Sequence, residues 1–147
     1  MSGIFNAMNV SASGMTAQRT RMDIISENIA NVNTTRDEDG KPYKRKTVVF
    51  QENSNASFDH ILCNKLESYH PHGVKITSIV EDTSEGAMTY DPTHPDADEN
   101  GYVTYPNVNV VQEMTDLIDA SRSYEANISA FNSSKDMASK GLTIGQS

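Results

Sequence analysis

Two rows of apolar residues, each repeating every seventh position, occupy opposite ends of this 147-residue chain. Met8, Met15, Met22 and Ile29 form the first; Val110, Leu117, Tyr124, Phe131 and Ala138 form the second. A seven-residue repeat keeps one seam of an α-helix apolar along its length, and such seams are normally buried against other helices. Companion rows offset by three or four residues reinforce the pattern, with Ile4, Ile25 and Val32 in the first segment and Met114, Ile128 and Leu142 in the last. Ser11 and Gln18 interrupt the one, Ser121 and Lys135 the other. Methionine dominates the first row, and its unbranched thioether adapts to irregular or multiple partner surfaces. The rows are either the core of a two-helix hairpin or seams for other chains. Composition favours other chains, because 36% hydrophobic residues, no Trp and a mean hydropathy of −0.57 leave little else for two long helices to pack on. The expected inter-subunit seam comprises Met8, Met15, Met22, Ile25, Ile29, Val110, Met114, Leu117, Tyr124, Ile128 and Phe131.

The pattern predicts helix, β-rich insert, helix. Residues 3 to about 33 contain no Pro and one internal Gly, Gly14, and end in Asn31-Val32-Asn33-Thr34-Thr35, where turn and cap formers stop the helix. Strands are expected between residues 41 and 105: Tyr43 to Gln51, Val74 to about Glu81, Ala87 to Tyr90, and Tyr102 to Tyr105. The stretch from Asn53 to Pro71 reads as either a short helix or an irregular strand. Pro106 with Asn107 or Asn109 signals the start of the last helix, which runs to Lys140 without Pro or Gly, roughly 45 Å at 1.5 Å per residue. The expected fold is mainly α, with the terminal helices forming a coiled-coil-like helical hairpin. Residues 1–36 and 107–147 make one discontinuous helical domain and residues 37–106 the β-rich insert with an acidic loop.

Charge and motifs exclude several classes. The formal charge is −8, and the small basic excess lies in one run, Lys41, Lys44, Arg45 and Lys46, which reads as a solvated strand edge rather than a phosphate-binding face. No nucleic-acid partner is therefore expected. The lone Cys63 excludes an internal disulfide framework, and no apolar run reaches bilayer-spanning length. The opening residues carry neither a charged n-region nor a continuous apolar h-region, so the chain is expected in the cytoplasm or exported by a route that reads no cleaved signal. Asp96-x-Asp98-x-Asn100-Gly101 matches the opening of a calcium loop, but the twelfth position is Asn107 instead of a bidentate Glu. The competing reading is a solvated turn whose Asp and Asn side chains bond their own backbone. His60, His70, His72, His94 and Cys63 match no standard zinc spacing, and no phosphate loop, nucleophile elbow or Cys-His signature is present. No catalytic residue, metal, cofactor or small-molecule substrate is expected.

The stretches Ser11-Ala12-Ser13-Gly14-Met15-Thr16-Ala17-Gln18-Arg19 and Met22 to Thr34, the latter closing on Asn28-Ile29-Ala30-Asn31-Val32-Asn33-Thr34, resemble the N-terminal motif shared by bacterial flagellar rod and hook proteins. Asp91-Pro92-Thr93-His94-Pro95-Asp96-Ala97, Gly101-Tyr102-Val103, Pro106-Asn107-Val108-Asn109-Val110 and Ala120-Ser121-Arg122-Ser123-Tyr124-Glu125-Ala126-Asn127 resemble one short rod member of that family. The resemblance spans essentially the whole chain. It implies a non-enzymatic subunit of the rod that transmits torque from motor to hook. Such a subunit leaves the cell interior unfolded through the flagellar type III export apparatus and assembles in the periplasm. Its implied partners are copies of itself, proximal and distal rod subunits and the rod-base adaptor. The motif positions carried over are Gly14, Asn28, Asn31, Asn33, Pro106, Asn107, Asn109 and Arg122. Gly14 is expected to admit a close helix, the asparagines to cap the helix end or bond a neighbouring subunit, and Arg122 and Tyr124 to contact neighbours. The acidic loop is expected to lie near the start of the last helix and fix its direction. Another rod or hook axial subunit, or a calcium-binding module built on residues 91–101, are the alternatives.

Overall fold

The computed structural model describes residues 2–37, 40–53 and 72–144. Their order is α1 (Ser2–Ala30), β1 (Lys46–Glu52), β2 (Val74–Glu81), β3 (Met88–Tyr90), β4 (Tyr102–Thr104) and α2 (Val110–Ile144). The expected class, mainly helical with a small β insert, is what forms. The reading of residues 54–71 lies outside the described residues.

Local chemistry sets the boundaries. α1 has neither acidic residues in its first turn nor basic ones in its last to offset its dipole, so it depends on packing. Its C-terminal end is held by Asn31, whose Nδ2 donates to the Glu27 carbonyl at 2.9 Å while its Oδ1 accepts from the Thr34 hydroxyl at 3.1 Å. α2 starts at an Asn109 cap, whose Oδ1 accepts from the amides of Val111 at 3.1 Å and Gln112 at 3.3 Å. The helix continues through Gly141 to Ile144, 35 residues or roughly 52 Å, four residues beyond the expected end.

The β elements form two separate two-stranded sheets, β1–β2 and β3–β4. Bonds from Asn53 N–H to the Gly73 carbonyl and from Asp82 N–H to the Arg45 carbonyl, both 2.7 Å, bracket the first pair and make it antiparallel. β1 begins at Lys46 rather than Tyr43, because the Tyr43 and Arg45 amides are bonded to the Thr34 carbonyl and the Asn107 side chain and cannot join a ladder. β3 and β4 pair antiparallel with Tyr90 opposite Tyr102 and Met88 opposite Thr104. Gly101, at φ +80°, supplies the left-handed turn just before β4.

The chain divides into two compact units, one of Met1–Arg19, Phe50–Thr77 and Ser121–Ser147, the other of Thr20–Val49 and Ser78–Ala120. In the first, Gly14 of α1 lies so close to Asn127 of α2 that a Cβ at Gly14 would sit 2.8 Å from Asn127 Oδ1. In the second, Arg21 meets Asp116 and Asn28 meets Glu113, so the two helices run antiparallel there. Among the described residues the buried apolar side chains are few: Ala17 in the first unit, and Ile25, Tyr43, Val103 and Ala120 in the second.

Candidate functional site

Two of the most buried side chains of the second unit are polar. Asn28 and Glu113 are both 0% exposed, and together they spend their hydrogen-bonding capacity inside the protein. Asn28 Oδ1 accepts from the Tyr43 hydroxyl at 2.8 Å and the Lys46 amide at 2.9 Å, while its Nδ2 donates to the Lys46 carbonyl at 2.9 Å and to Glu113 Oε2 at 3.0 Å. Glu113 Oε1 accepts from Arg45 Nε at 2.6 Å, and the Arg45 guanidinium also reaches Asp116 at 3.6 Å. Asp116 bonds Arg21 at 3.3 Å, and Lys46 Nζ bonds Glu27 at 2.6 Å. A buried carboxylate is tolerated only when its charge and lone pairs are met, and here Arg45 and Asn28 meet them. Burial pushes the Tyr43 phenol above its ordinary value, the Glu27 charge adding to the effect. The hydrogen bond from Lys46 to Glu27 raises the lysine likewise.

Two residues of the basic run are thus not free on a solvated edge but partly buried and paired. Arg45 and Lys46 are committed to this cluster, whereas Lys41 and Lys44 are exposed. The hydrophobic pattern missed the reason, because Glu113 lies beside the apolar rows and not in them. Asn107 completes the attachment: its Oδ1 accepts from the Arg45 amide at 2.8 Å, and its Nδ2 donates to the Asp82 carbonyl at 3.1 Å and Ser84 Oγ at 2.9 Å. It therefore sets the approach to α2. The acidic loop instead bonds the segment after α1, through Asp96 to the Thr35 hydroxyl at 2.8 Å and to Arg36 at 3.5 Å.

The heptad positions distribute as follows. Ile25 is buried; Met8, Met15, Met22, Ile29, Val110, Leu117, Tyr124, Ile128 and Phe131 are half-buried; Met114 is 54% exposed. The innermost row of α2 is Glu113, Ala120, Asn127 and Ser134, also at seven-residue spacing, and on α1 the residues facing it include Gly14, Arg21 and Asn28. Small and polar groups hold the helices together, so the methionine row sits to one side with area to spare. Asn31 caps α1, Asn33 and Arg122 are exposed, and Pro106 is buried.

Val111, Met114 and Ile118, 75%, 54% and 52% exposed, make an apolar strip on the side of α2 turned away from Glu113 and Ala120. Such spacing on a solvent-facing side is the pattern of a helix awaiting a neighbour. The loop carboxylates are differently occupied. Asp98 Oδ1 accepts from the amides of Asn100 at 2.9 Å and Tyr102 at 2.8 Å, and Asp91 Oδ1 from Thr93 N–H at 3.0 Å and Thr93 Oγ1 at 2.6 Å, which holds the Asp91 carboxyl below the usual range. This is the self-bonded turn of the sequence alternatives. Among the described residues no group of three or more His, Cys, Asp or Glu is placed to hold a metal ion.

Residues 8–36 match a family model described as flagella basal body rod protein, and residues 99–144 one described as flagellar basal body rod FlgEFG protein C-terminal. The chain is 45% identical over 150 residues to the flagellar basal-body rod protein FlgC of Borreliella burgdorferi, covering 98% of this chain and 99% of that one. Against FlgC of Bacillus subtilis it is 46% identical over 148 residues (97% and 98%), and against FlgC of Salmonella typhimurium 38% over 143 residues (97% and 98%). Both matched segments fall on the two helices and their flanks, and hold Asn28, Glu113 and the apolar strip, while Tyr43, Arg45 and Lys46 of the cluster lie between them. The chain belongs to the flagellar basal-body rod protein family of which these FlgC proteins are members.

Proposed function

We propose that this chain is a structural subunit of the flagellar basal-body rod and that it joins its neighbours through apolar faces of α1 and α2. The observation that carries the assembly surface is the Val111–Met114–Ile118 strip, three large side chains left more than half exposed where few apolar side chains among the described residues are buried. Phe5 on α1 and Met137 and Leu142 on α2, 57–60% exposed, extend the same economy to the first unit. The half-buried seam residues Met8, Met15, Met22, Ile29, Leu117, Tyr124, Ile128 and Phe131 keep area for a neighbour, and Arg122, exposed on α2, offers a planar donor fork.

The partners we assign are further copies of this chain, other rod subunits and the rod-base adaptor, with delivery through the flagellar type III export apparatus to the periplasm without a cleaved signal. Kinship with the FlgC proteins supports this reading. Among the described residues no helix is long and apolar enough to cross a membrane. The role is mechanical rather than catalytic, which fits a chain whose most buried polar groups satisfy one another.

Met114→Asp combined with Ile118→Asp tests the surface. Both sites are exposed, so the isolated variant should keep its helical circular dichroism and melt within about 0.5 kcal/mol of the parent. It should nevertheless fail to restore swimming in a strain lacking the parent protein. Normal swimming would contradict the assignment.

A further inference from the structure

An asparagine followed by glycine is chemically the least durable asparagine in a chain. The glycine amide nitrogen, uncrowded by any Cβ, can reach the carbon of the asparagine side-chain amide. Asn100-Gly101 is the one such step in the sequence. It lies in the acidic loop, where Asn100 is exposed and its side-chain amide is bonded to none of the described residues. The group that would be attacked is therefore open to water and unrestrained.

The attacking nitrogen, by contrast, is held. Gly101 N–H donates to the Asp98 carbonyl at 3.0 Å and closes a turn over Glu99 and Asn100. Asp98 fixes this turn further, since its Oδ1 accepts from the amides of Asn100 at 2.9 Å and Tyr102 at 2.8 Å and its own N–H donates to the Tyr102 carbonyl at 2.9 Å. Asp91 N–H, donating to the Gly101 carbonyl at 2.9 Å, ties the same stretch to the end of β3. The nitrogen keeps its proton in a hydrogen bond and the peptides on both sides are bonded as well, so it can turn onto the side chain only when the loop opens.

We infer that Asn100 is a site of spontaneous deamidation, closed in the folded chain by the Asp98 turn and open whenever that turn is not formed. Gly101 N loses its proton to hydroxide and forms a bond to Asn100 Cγ; the Cγ–Nδ2 bond breaks, and the nitrogen leaves as ammonia with a proton from water. One water then opens the five-membered imide. Opening at the side-chain carbonyl gives aspartate, and opening at the main-chain carbonyl gives isoaspartate, whose backbone runs through Cβ and is longer by one carbon. That extra carbon shifts Gly101 and Tyr102 against Asp98 and Asp91, so the bonds that set β4 beside β3 are lost. Deamidation before folding thus leaves a lasting defect in the hairpin, and the folded chain is spared it. This chemistry belongs to the loop alone and neither requires nor excludes the helix surface of the rod reading.

The test ages the full chain at mildly alkaline pH in buffer and in guanidinium chloride. Peptide mapping by mass spectrometry follows each asparagine, and an isoaspartyl methyltransferase assay counts isoaspartate. Asn100 should convert fastest of all asparagines in denaturant and at least about tenfold more slowly in buffer. Asp98→Ala, which removes the acceptor of two amides, should raise the rate in buffer severalfold, while Asp98→Asn, which keeps an Oδ1, should hold it near that of the parent. After ageing in denaturant and refolding, the isoaspartate form should exchange its Asp91 and Tyr102 amides fast, whereas Asn100→Asp should keep them protected. Equal rates at Asn100 in buffer and denaturant, faster conversion of another asparagine in denaturant, or an unchanged rate in folded Asp98→Ala would overturn the inference. Free exchange of the Gly101 amide in the parent would overturn it too. The comparison of buffer with denaturant and the Gly101 exchange need no substitution, so misfolding of Asp98→Ala would not shelter the inference.

Discussion

At Asn28, truncation to Ala would withdraw four hydrogen bonds at once, leaving Glu113 Oε2 and both backbone groups of Lys46 without their partner in a place water does not reach. Unmet buried groups cost about 1–3 kcal/mol each before relaxation, so Asn28→Ala should lower stability by about 3 kcal/mol in urea melts. Arg45 and Glu113 are expected to be unequal. Arg45→Met strands a fully buried carboxylate, whereas Glu113→Gln leaves a quarter-exposed guanidinium that still has Asp116. The arginine substitution should therefore cost more, about 3–5 kcal/mol, and a reversed order would contradict the cluster's electrostatics. pH acts through the same residues. Tyr43 and Lys46 bind protons more tightly folded than unfolded, so the stability they contribute is intact below pH 10 and lost as pH rises through their folded values. Asp82 and Asp91 are shifted down by bonds from Ser84 and Thr93, so their share is lost as pH falls below about 3.8. Melting temperature should be flat between these limits as far as these four groups decide it, and Tyr43→Phe should reduce the alkaline slope. None of this was visible in the apolar pattern. The signal was present in another form, because Glu113, Ala120, Asn127 and Ser134 repeat every seventh residue just as the apolar row does, and small or polar residues in that phase mark where backbones come closest.

The elements themselves were largely legible. Cap chemistry at Asn109, turn formers after Ala30 and alternation through Val74–Glu81 are local signals, and α1, β2, β3, β4 and α2 begin or end within a few residues of where those signals fall. β1 was misjudged at its start because backbone groups of Tyr43 and Arg45 are taken by residues distant in sequence, which local pattern cannot report. Two substitutions probe the helices. Asn109→Ala removes the acceptor for two amides of the first turn and should cost about 1 kcal/mol. Gly14→Ala places a methyl against the Asn127 amide, which its own bond to the Ser123 carbonyl holds in place. Adding Asn127→Ala should relieve the clash and recover the helix propensity gained by alanine, leaving the double variant about 1 kcal/mol more stable than Gly14→Ala alone. Additive effects in that cycle would contradict the close approach.

Among the described residues, the buried ones are concentrated in the second unit, which holds Ile25, Asn28, Tyr43, Val103, Pro106, Glu113 and Ala120, while the described part of the first holds Ala17 and Ser134. That distribution modifies the expectation from sequence, which treated both helices as equally dependent on neighbours. The part of α2 from Val110 to Ala120 is anchored by the Glu113 cluster and should be stable in an isolated molecule, whereas the outer turns of both helices lack comparable anchors. Under the proposed function, a rod subunit built this way is anchored through the Glu113 cluster and is expected to complete the outer turns of its helices against other subunits. Hydrogen exchange compared between the dilute chain and the assembled rod tests this most directly. In the dilute chain residues 20–30 and 110–120 should be protected while residues 3–12 and 132–143 exchange fast, and assembly should protect the latter. Equal, strong protection of those end segments in the dilute chain would contradict the account.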